Sequence, residues 1–313
     1  MASLKNIKSK IYSYKKTGTV THAMEAVSAV KMRKAQERAL TTRTYAASAL
    51  QILERLSTTI DLAKHPLMIP RGVDSQVGAK NCLIVITSDK GLAGALNSGV
   101  IKRAEDQLRA INGSQENTVI AAIGRRGAEY FTSRGYEVRI RRDNIGDDVS
   151  ESDIQTVVNA FLEWHASGEV GTCMLAYTNF ISTFEQEPVV RQIVPLSYEV
   201  IATMVAGIRP ARGRYSPVII SDTTSNKTSS YTIEPSAETV LATLLPRLIT
   251  IAVFHGMLES KASEHSARMV AMKSATDKAK DMAKSLTRIF NKVRQAAITR
   301  EVSEITSGME AMK

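Results

Sequence analysis

The hydrophobic pattern is most regular in the last quarter of the chain, residues 237–313, which contains one proline, Pro246, and two glycines, Gly256 and Gly308. Apolar or small residues recur there with steps of three and four, the spacing of one helix face. Fourteen of the seventeen positions are apolar, and the pattern predicts one long helix with a coiled-coil seam. The seam positions are Leu241, Leu244, Leu248, Ile251, His255, Leu258, Ala262, His265, Met269, Met272, Thr276, Ala279, Ala283, Leu286, Phe290, Val293 and Ala297.

The apolar track shifts near the end of this segment. After Val293 it passes through Ile298, Val302, Ile305, Met309 and Met312. At a rise of ~1.5 Å per residue the segment would reach roughly 110 Å. A helix of that length with one apolar stripe needs a partner helix, and its last turns are expected to face a different surface.

A second helical segment covers residues 3–60, with Ser3 as a candidate N-cap and Gly18 as a local weak point. The apolar stripe that we assign to it comprises Leu4, Ile7, Ile11, Val20, Ala23, Val27, Val30, Ala46, Leu50, Leu53 and Leu56. Between its two halves lies a basic stretch with Lys31, Arg33 and Lys34. Two long stripes at opposite ends of one chain predict an antiparallel pair of helices.

The middle of the chain begins with a linker, residues 65–78, that is rich in Pro and Gly. Alternating strands and helices follow it, as in a doubly wound, Rossmann-like α/β fold with a mostly parallel sheet. The predicted strands are Cys82–Thr87, Thr118–Ile123, Tyr136–Ile140, Val170–Tyr177 and Val189–Val194, and the helices are Ser98–Ile111, Arg126–Ser133 and Glu151–Ala166.

These patterns predict an organisation in three parts: an N-terminal coiled-coil helix (1–60), a central α/β domain (61–235) and a C-terminal coiled-coil helix (236–313). Within the central part, residues 208–226 carry Pro, Gly, Ser and Thr and are expected to form a long exposed loop. Cys82 and Cys173 lie in apolar runs, so we expect two core thiols in a reducing compartment. No signal peptide and no apolar run of membrane-spanning length are expected.

The net charge of +10 is unevenly distributed. Residues 1–56 have 11 Lys+Arg against 3 Asp+Glu, residues 237–313 have 12 against 8, and the middle has 18 against 20. The basicity therefore belongs to the terminal helices, which predicts an acidic partner for them.

The candidate chemistry is weak. The turn from Ser88 to Gly94 lies where a phosphate-binding turn would be, but it lacks the glycine spacing of dinucleotide and Walker motifs. His255 and His265 are ten residues apart on one helix face, about 15 Å, too far to share a metal ion, so we expect them to be polar residues packed in the seam. The acidic group Asp147, Asp148, Glu151 and Asp153 is expected to be a solvated turn that complements a helix dipole. We expect no catalytic site, no metal and no cofactor.

The residues then point to a known family. The stretch LESKASEHSARMVAMKSATDKAKDMAKSLTRIFNKVRQAAITREVSEI, which begins at Leu258, resembles the C-terminal signature of the gamma subunit of F-type rotary ATP synthases. The runs THAMEAVSAVKMRKAQ, ITSDKGLAGALN and YTIEPS are similar to the same family at corresponding positions. The chain departs from the family at Ala93, where a Cys is usual, at its last six residues, and in residues 178–230; the chloroplast dithiol insertion is absent.

The resemblance implies a central rotor shaft: an antiparallel coiled coil inside a ring of three alpha and three beta subunits, with the α/β domain as a foot beside the membrane rotor ring. Rotation driven by protons would then change the beta subunits for ATP synthesis, or the reverse during hydrolysis. It implies alpha, beta, epsilon-type and rotor-ring partners, no nucleic acid and no small-molecule substrate. It also implies a peripheral membrane protein on the cytoplasmic face of the bacterial inner membrane, or the organellar equivalent.

The family's contact positions can be transferred to this chain. The resemblance implies contacts with the alpha/beta ring at Met24, Lys31, Arg33, Lys34, Arg268, Arg294, Gln295, Thr299, Glu301, Met309 and Met312. It implies contacts of the foot, on the side of the rotor ring and the epsilon-type subunit, at Lys90, Gly91, Leu92 and Asn97. For each polar position, a solvated coiled-coil face is the alternative.

Two other function classes are compatible with parts of the sequence. A nucleotide-dependent α/β enzyme would need a phosphate loop, and ATP binding by the isolated chain would favour it. A basic coiled-coil protein that binds nucleic acid would explain the charge, although aromatic residues are sparse in the helices. A salt-sensitive shift of DNA mobility would favour that class.

Overall fold

A computed structural model describes residues 4–57, 65–69, 79–196, 200, 234 and 236–312. Its elements follow the predicted order closely, with strand and helix ends within a few residues of expectation. They are α1 (Leu4–Ser57), β1 (Lys80–Ile86), α2 (Leu96–Ala110), β2 (Thr118–Ile123), α3 (Arg125–Ser133), β3 (Glu137–Arg142), α4 (Glu151–Ala166), β4 (Val170–Phe180), β5 (Gln186–Val194) and α5 (Ala237–Ala311). The predicted loop 208–226 and most of the linker 65–78 lie outside the described residues.

The five strands form one sheet in the order β3-β2-β1-β4-β5. The first four strands of that order pair in parallel, and β5 is an antiparallel edge. Most residues of the adjacent strands β1 and β2 are apolar and fully buried, because both faces of these strands are covered. The predicted doubly wound, mostly parallel sheet is confirmed.

Helices cover the two faces of the sheet. Alternate β1 residues point to opposite faces: Ile84 lies in a core with α4 and the first half of α5, and Val85 lies in a core with α2 and α3. Gly256 lets α5 approach the sheet closely, since a Cβ there would be 3.1 Å from a methyl group of Leu175 and 3.4 Å from the Tyr177 ring. The apolar half of α5 thus belongs to the α/β domain.

The predicted long helix is confirmed, because α5 runs through 75 residues with Pro246 in its interior and no break between Leu258 and Phe290. All seventeen predicted seam residues are buried or partly buried, and every described residue after Ala297 is exposed. The chain divides into two compact units, Met1–Ala29 with Arg268–Lys313, and Val30–Ala267.

In the first unit, α1 and α5 pair in antiparallel fashion. The hydroxyl groups of Thr21 and Thr276 are 2.7 Å apart, and a Cβ on Gly18 would lie 3.6 Å from Cβ of Ala279. In both contacts the residue numbers add to the same value, as an antiparallel register requires. The predicted antiparallel pair is therefore confirmed within this unit.

The seam of α1 differs from the predicted stripe. The buried positions are Ile7, Gly18, Thr21, Ser28, Ala35 and Ala39, whereas Val20, Val27 and Val30 are 51%, 53% and 71% exposed. The assignment of these valines to the seam is wrong because the residues that do face α5 are small or polar. Hydrophobicity alone therefore selects the correct side at Ile7 and the wrong side from Val20 to Val30. The side chains of Ala46, Leu50, Leu53 and Leu56 lie outside the described part of the chain.

Among the described residues, α5 contains one stretch that is long and apolar enough to cross a membrane by length and composition alone. The expectation that no such run exists is therefore wrong. Some 56% of that stretch is buried inside the protein, and its residues Leu245, Leu248 and Ile249 belong to the core of the α/β domain. Packing against the sheet accounts for its apolar character.

Candidate functional site

The turn after β1 uses its polar groups internally. The Ser88 backbone N–H donates to Oδ1 of Asn97 at 2.9 Å, and the Asp89 carboxylate accepts from the backbone N–H of Arg125 at 2.9 Å. Arg125 is the first residue of α3, so the chain's own carboxylate occupies the helix N-terminus at which an anion would bind. The geometry is that of a tight connection between strand and helix.

Leu92 is the unusual residue of this turn. Its φ of 65° is left-handed, a conformation that is rare for bulky residues, and its side chain is 63% exposed. Lys90 is also exposed, whereas Gly91 and Asn97 are partly buried. Lys90, Gly91 and Leu92 therefore lie in one turn after β1, and Asn97 contacts that turn from the first turn of α2; Leu92 presents an apolar side chain to solvent.

The basic stretch of α1 contains one cation that already has a partner. The Lys31 ammonium lies 2.6 Å from Oδ2 of Asp147, whereas Arg33 and Lys34 are exposed. Met24 is partly buried. Lys31 therefore has an acidic partner within the chain, because the loop before α4 brings the Asp147 carboxylate to it.

The acidic group around Asp147 is only in part the expected solvated turn. Asp153 does complement a helix N-terminus, because it belongs to the capping box of α4 with Ser150. Its carboxylate accepts hydrogen bonds from the Ser150 hydroxyl at 2.7 Å and from the Ser150 backbone N–H at 2.9 Å, and these bonds lower the pKa of Asp153. Asp147, in contrast, contacts both Lys31 and His265. Burial alone would raise the pKa of Asp147, but these two partners hold it below its usual value.

The two histidines of the α5 seam are buried beside separate carboxylates. His255 Nε2 is 3.4 Å from Glu259, and His265 Nε2 is 2.8 Å from Oδ1 of Asp147. No group of three or more His, Cys, Asp or Glu residues with metal-binding geometry occurs in the part of the chain that the structure describes. As predicted, the two histidines are packed polar residues of the seam.

The polar contact positions of α5 are unequally exposed. Arg268 is buried, whereas Arg294 is exposed with its guanidinium 6.0 Å from the centre of the Phe290 ring. Gln295, Thr299 and Glu301 are exposed, and Thr299 donates its hydroxyl to the Gln295 carbonyl at 2.9 Å. The side chains of Arg294, Gln295, Thr299 and Glu301 are therefore accessible to a partner.

The last turns of α5 carry apolar side chains that are exposed to solvent. These side chains are Ile298, Val302, Ile305, Met309 and Met312, with exposed fractions between 52% and 90%. By the register of the seam, these residues lie beyond the first described turn of α1. An exposed apolar strip of this kind is a candidate contact surface.

A groove along the helix pair was not evident from the sequence. Its volume is about 670 Å³, and its lining is Tyr14, Lys15, Gly18, Thr19, His22, Thr276, Lys280, Ala283, Lys284, Thr287, Arg288 and Asn291. Gly18 and Ala283 leave room for it. Lys15, Lys280, Lys284 and Arg288 form no ion pair with any residue that the structure describes. Four cations of the terminal helices therefore line one groove of the pair.

Known proteins resemble this chain in sequence over its whole length. A family model described as ATP synthase matches residues 3–312. The ATP synthase gamma chain of Methylobacillus flagellatus is 37% identical over 312 residues, and that of Cupriavidus metallidurans is 38% identical over 312 residues. Each alignment covers 100% of both chains.

Solved structures share its fold. A chain of the Euglena gracilis mitochondrial ATP synthase, in a structure of OSCP, F1 and c-ring, matches 99% of this chain and 94% of its own length, with a TM-score of 0.60 and 16% identity. A chain from the central stalk and c-ring of the Tetrahymena thermophila mitochondrial enzyme matches 82% of this chain and 99% of its own, with a TM-score of 0.54 and 20% identity. The fold and the full-length sequence match agree: the chain belongs to the ATP synthase gamma chain family.

Proposed function

We propose that this chain is the central rotor shaft of an F-type ATP synthase. In this role it couples proton-driven rotation of a membrane rotor ring to conformational change in catalytic beta subunits, or works in reverse during ATP hydrolysis. The partners are three alpha and three beta subunits, an epsilon-type subunit and the rotor ring. The relatives' names and the titles of the matched structures support this assignment.

One observation carries the proposal: the continuity of α5. Its first half supplies core residues to the α/β domain, and its second half pairs with α1 along a seam of small and apolar residues. A single helix that contributes residues to both units is the kind of connection that a torque-transmitting shaft needs. Its last turns are apolar and exposed, as an element that turns inside a bearing of other subunits requires.

We assign the ring contacts to positions of the helix pair that are exposed or partly exposed, with the exception of the buried Arg268. Arg33, Lys34 and Arg294 offer cations, and unbranched Met309 and Met312 tolerate a changing apolar environment. The full set of proposed ring contacts is Met24, Lys31, Arg33, Lys34, Arg268, Arg294, Gln295, Thr299, Glu301, Met309 and Met312. The proposed contacts of the foot, on the side of the rotor ring and the epsilon-type subunit, are Lys90, Gly91, Leu92 and Asn97.

We also propose that the chain has no catalytic site of its own and works as a peripheral membrane protein on the cytoplasmic face of the bacterial inner membrane, or the organellar equivalent. The Ser88 backbone N–H and the Asp89 carboxylate form hydrogen bonds within the chain, which supports the proposal that the Ser88–Gly94 turn is not a nucleotide site. We expect titration calorimetry of the full chain with ATP to give no measurable heat of binding. Stoichiometric ATP binding would instead favour an α/β enzyme.

Rotation tests the proposal directly. Cys82 and Cys173 are fully buried, so a cysteine placed at exposed Lys102 of α2 is a selective site for a bead. With the alpha/beta ring fixed to glass, ATP is expected to rotate the bead continuously. A bead on a beta subunit of the same complexes is the control and should not rotate. Complexes that hydrolyse ATP while the Lys102→Cys bead stays still would refute the shaft assignment.

A further inference from the structure

The segment Asn144–Asp148, between β3 and α4, contacts both long helices. It begins with a left-handed residue, Asn144, at φ 59°, a conformation that Asn tolerates better than most side chains. This turn carries two consecutive carboxylates, Asp147 and Asp148, toward the helices. We call residues 144–148 the clasp segment.

Two ion pairs join the clasp segment to α1. Asp147 contacts Lys31 at 2.6 Å, and Asp148 contacts Arg38. Lys31 and Arg38 are seven residues apart and therefore share a helix face. The buried α1 side chain between them is Ala35, which offers little apolar area to hold the helix in place.

Two further contacts join the clasp segment to α5. His265, whose side chain is 5% exposed, lies 2.8 Å from Oδ1 of Asp147, and the Lys261 ammonium donates to the Ile145 carbonyl at 2.8 Å. Lys261 also lies 3.9 Å from Glu264 on its own helix. The charged and titratable groups that meet at Asp147 therefore come from α1 and α5 together.

The two helices differ in what else fixes them to the sheet. Residues of α5 such as Leu245 and Ile249 are fully buried in the main core. The described α1 side chain in that core is Ala39. Because a methyl group buries far less apolar area than leucine, the part of α1 whose side chains are described, residues 4–39, depends more strongly on its polar contacts for its position against the sheet.

We infer that the clasp segment fixes α1 to α5 and to the α/β domain, with Asp147 as the positioning residue that both helices share. The inference rests on the proposed function, since a rotor must pass torque from the α/β domain to both helices. Without the clasp, α5 still follows the domain, whereas α1 can slip relative to it. The expected consequence is lost coupling with ATP hydrolysis retained.

The test compares Asp147→Asn with Asp106→Asn in assembled complexes in vesicles. Asp106 is an exposed residue of α2 with no ion pair in the described part of the chain, so its substitution removes the same charge without touching the clasp. The readout is the ratio of ATP-driven proton pumping to ATP hydrolysis. Asp147→Asn should lower this ratio roughly two- to fivefold, the effect that one partly exposed ion pair supports. Asp147→Glu should restore most of it, and Asp106→Asn should leave it unchanged.

Equal ratios in Asp147→Asn and Asp106→Asn would overturn the inference. If Asp147→Asn does not assemble, the second pair decides: Arg38→Asp alone should lower the ratio, and Arg38→Asp with Asp148→Arg should recover it. A double variant that recovers nothing would also overturn the clasp. The proposed function fails by a different result, the absence of rotation in the wild-type complex, so the two failures are distinguishable.

Discussion

Gly18 provides a direct test of the helix pair. It lies buried in the α1 seam, and a Cβ added there would be 3.6 Å from Cβ of Ala279, an ordinary van der Waals distance. Replacing Gly by Ala in a helix interior is worth about 0.8–1.0 kcal/mol. Burying the new methyl group adds up to about 0.8 kcal/mol. We therefore expect Gly18→Ala to raise the free energy of unfolding by about 1–2 kcal/mol.

The measurement is urea unfolding of the full chain, followed by helix circular dichroism. A gain of about 1 kcal/mol corresponds to a rise of roughly 0.3–1 M in the urea midpoint. Gly308→Ala is the matched control because it makes the same substitution in a helix, near the end of α5, with no atom within 4 Å of the new Cβ. The difference between the two variants isolates the contribution of the seam contact.

A Gly18→Ala midpoint at or below that of wild type would refute the seam geometry. So would a gain no larger than that of Gly308→Ala, since the added methyl group would then have no partner on α5. Gly18→Leu supplies a check of opposite sign. The larger side chain cannot fit against Ala279 without shifts, and we expect it to cost about 1–3 kcal/mol.

Three further outcomes follow from the packing and the charges. Gly256→Val should lower the free energy of unfolding by about 1–3 kcal/mol, because its Cβ would press on β4; a urea midpoint equal to that of wild type would contradict the close approach. The pKa of Asp147 is lower in the folded chain than its unfolded value of about 4, so the charged carboxylate stabilises the fold above about pH 4, and this stabilisation is lost as the pH falls through the folded pKa. The difference in free energy of unfolding between wild type and Asp147→Asn should therefore shrink on acidification from about pH 5 to pH 3. A constant difference would argue against the contacts of Asp147 with Lys31 and His265. The double variant Arg33→Ala with Lys34→Ala should change the free energy of unfolding by no more than about 0.5 kcal/mol while altering the ratio of proton pumping to ATP hydrolysis. Lys31→Ala should alter the same ratio and also destabilise the chain, because it removes the contact with Asp147. Equal effects of both variants on stability would contradict a separate structural role for Lys31.

The regular elements could be predicted because their signal is local. Strand β2 is a run of six buried residues, Thr118–Ile123, and its ends coincide with the predicted ones. The buried face of α5 was predictable because its three-four spacing persists from Leu241 to Ala297. Its partner was not: Leu241, Leu248, Ile251 and Leu258 pack in the core of the α/β domain, so the predicted coiled-coil seam is wrong for this first part of the helix. Periodicity over many turns averages out local exceptions such as His255 and Thr276.

The α1 seam and the clasp could not be predicted for two different physical reasons. In α1 the facing residues are small, and a scale of hydrophobicity assigns them less weight than the exposed Val20 and Val27 beside them. In the clasp, Asp147 and its partners are separated by more than a hundred residues on either side. Local sequence shows a carboxylate before a helix, which is equally consistent with a solvated turn, and only the tertiary fold supplies Lys31 and His265.

The distribution of apolar side chains on the helix pair is itself an argument about partners. A free two-helix unit would be most stable with its largest apolar residues in the seam, yet α1 buries Gly18 and Thr21 there and exposes Val20 and Val27. The end of α5 likewise exposes an apolar strip through Met312. Small seam residues bring the two helices close together, and apolar outer residues are favourable only where another surface covers them. The sequence of the pair is therefore suited to enclosure by other subunits, which is the situation of a shaft inside a ring.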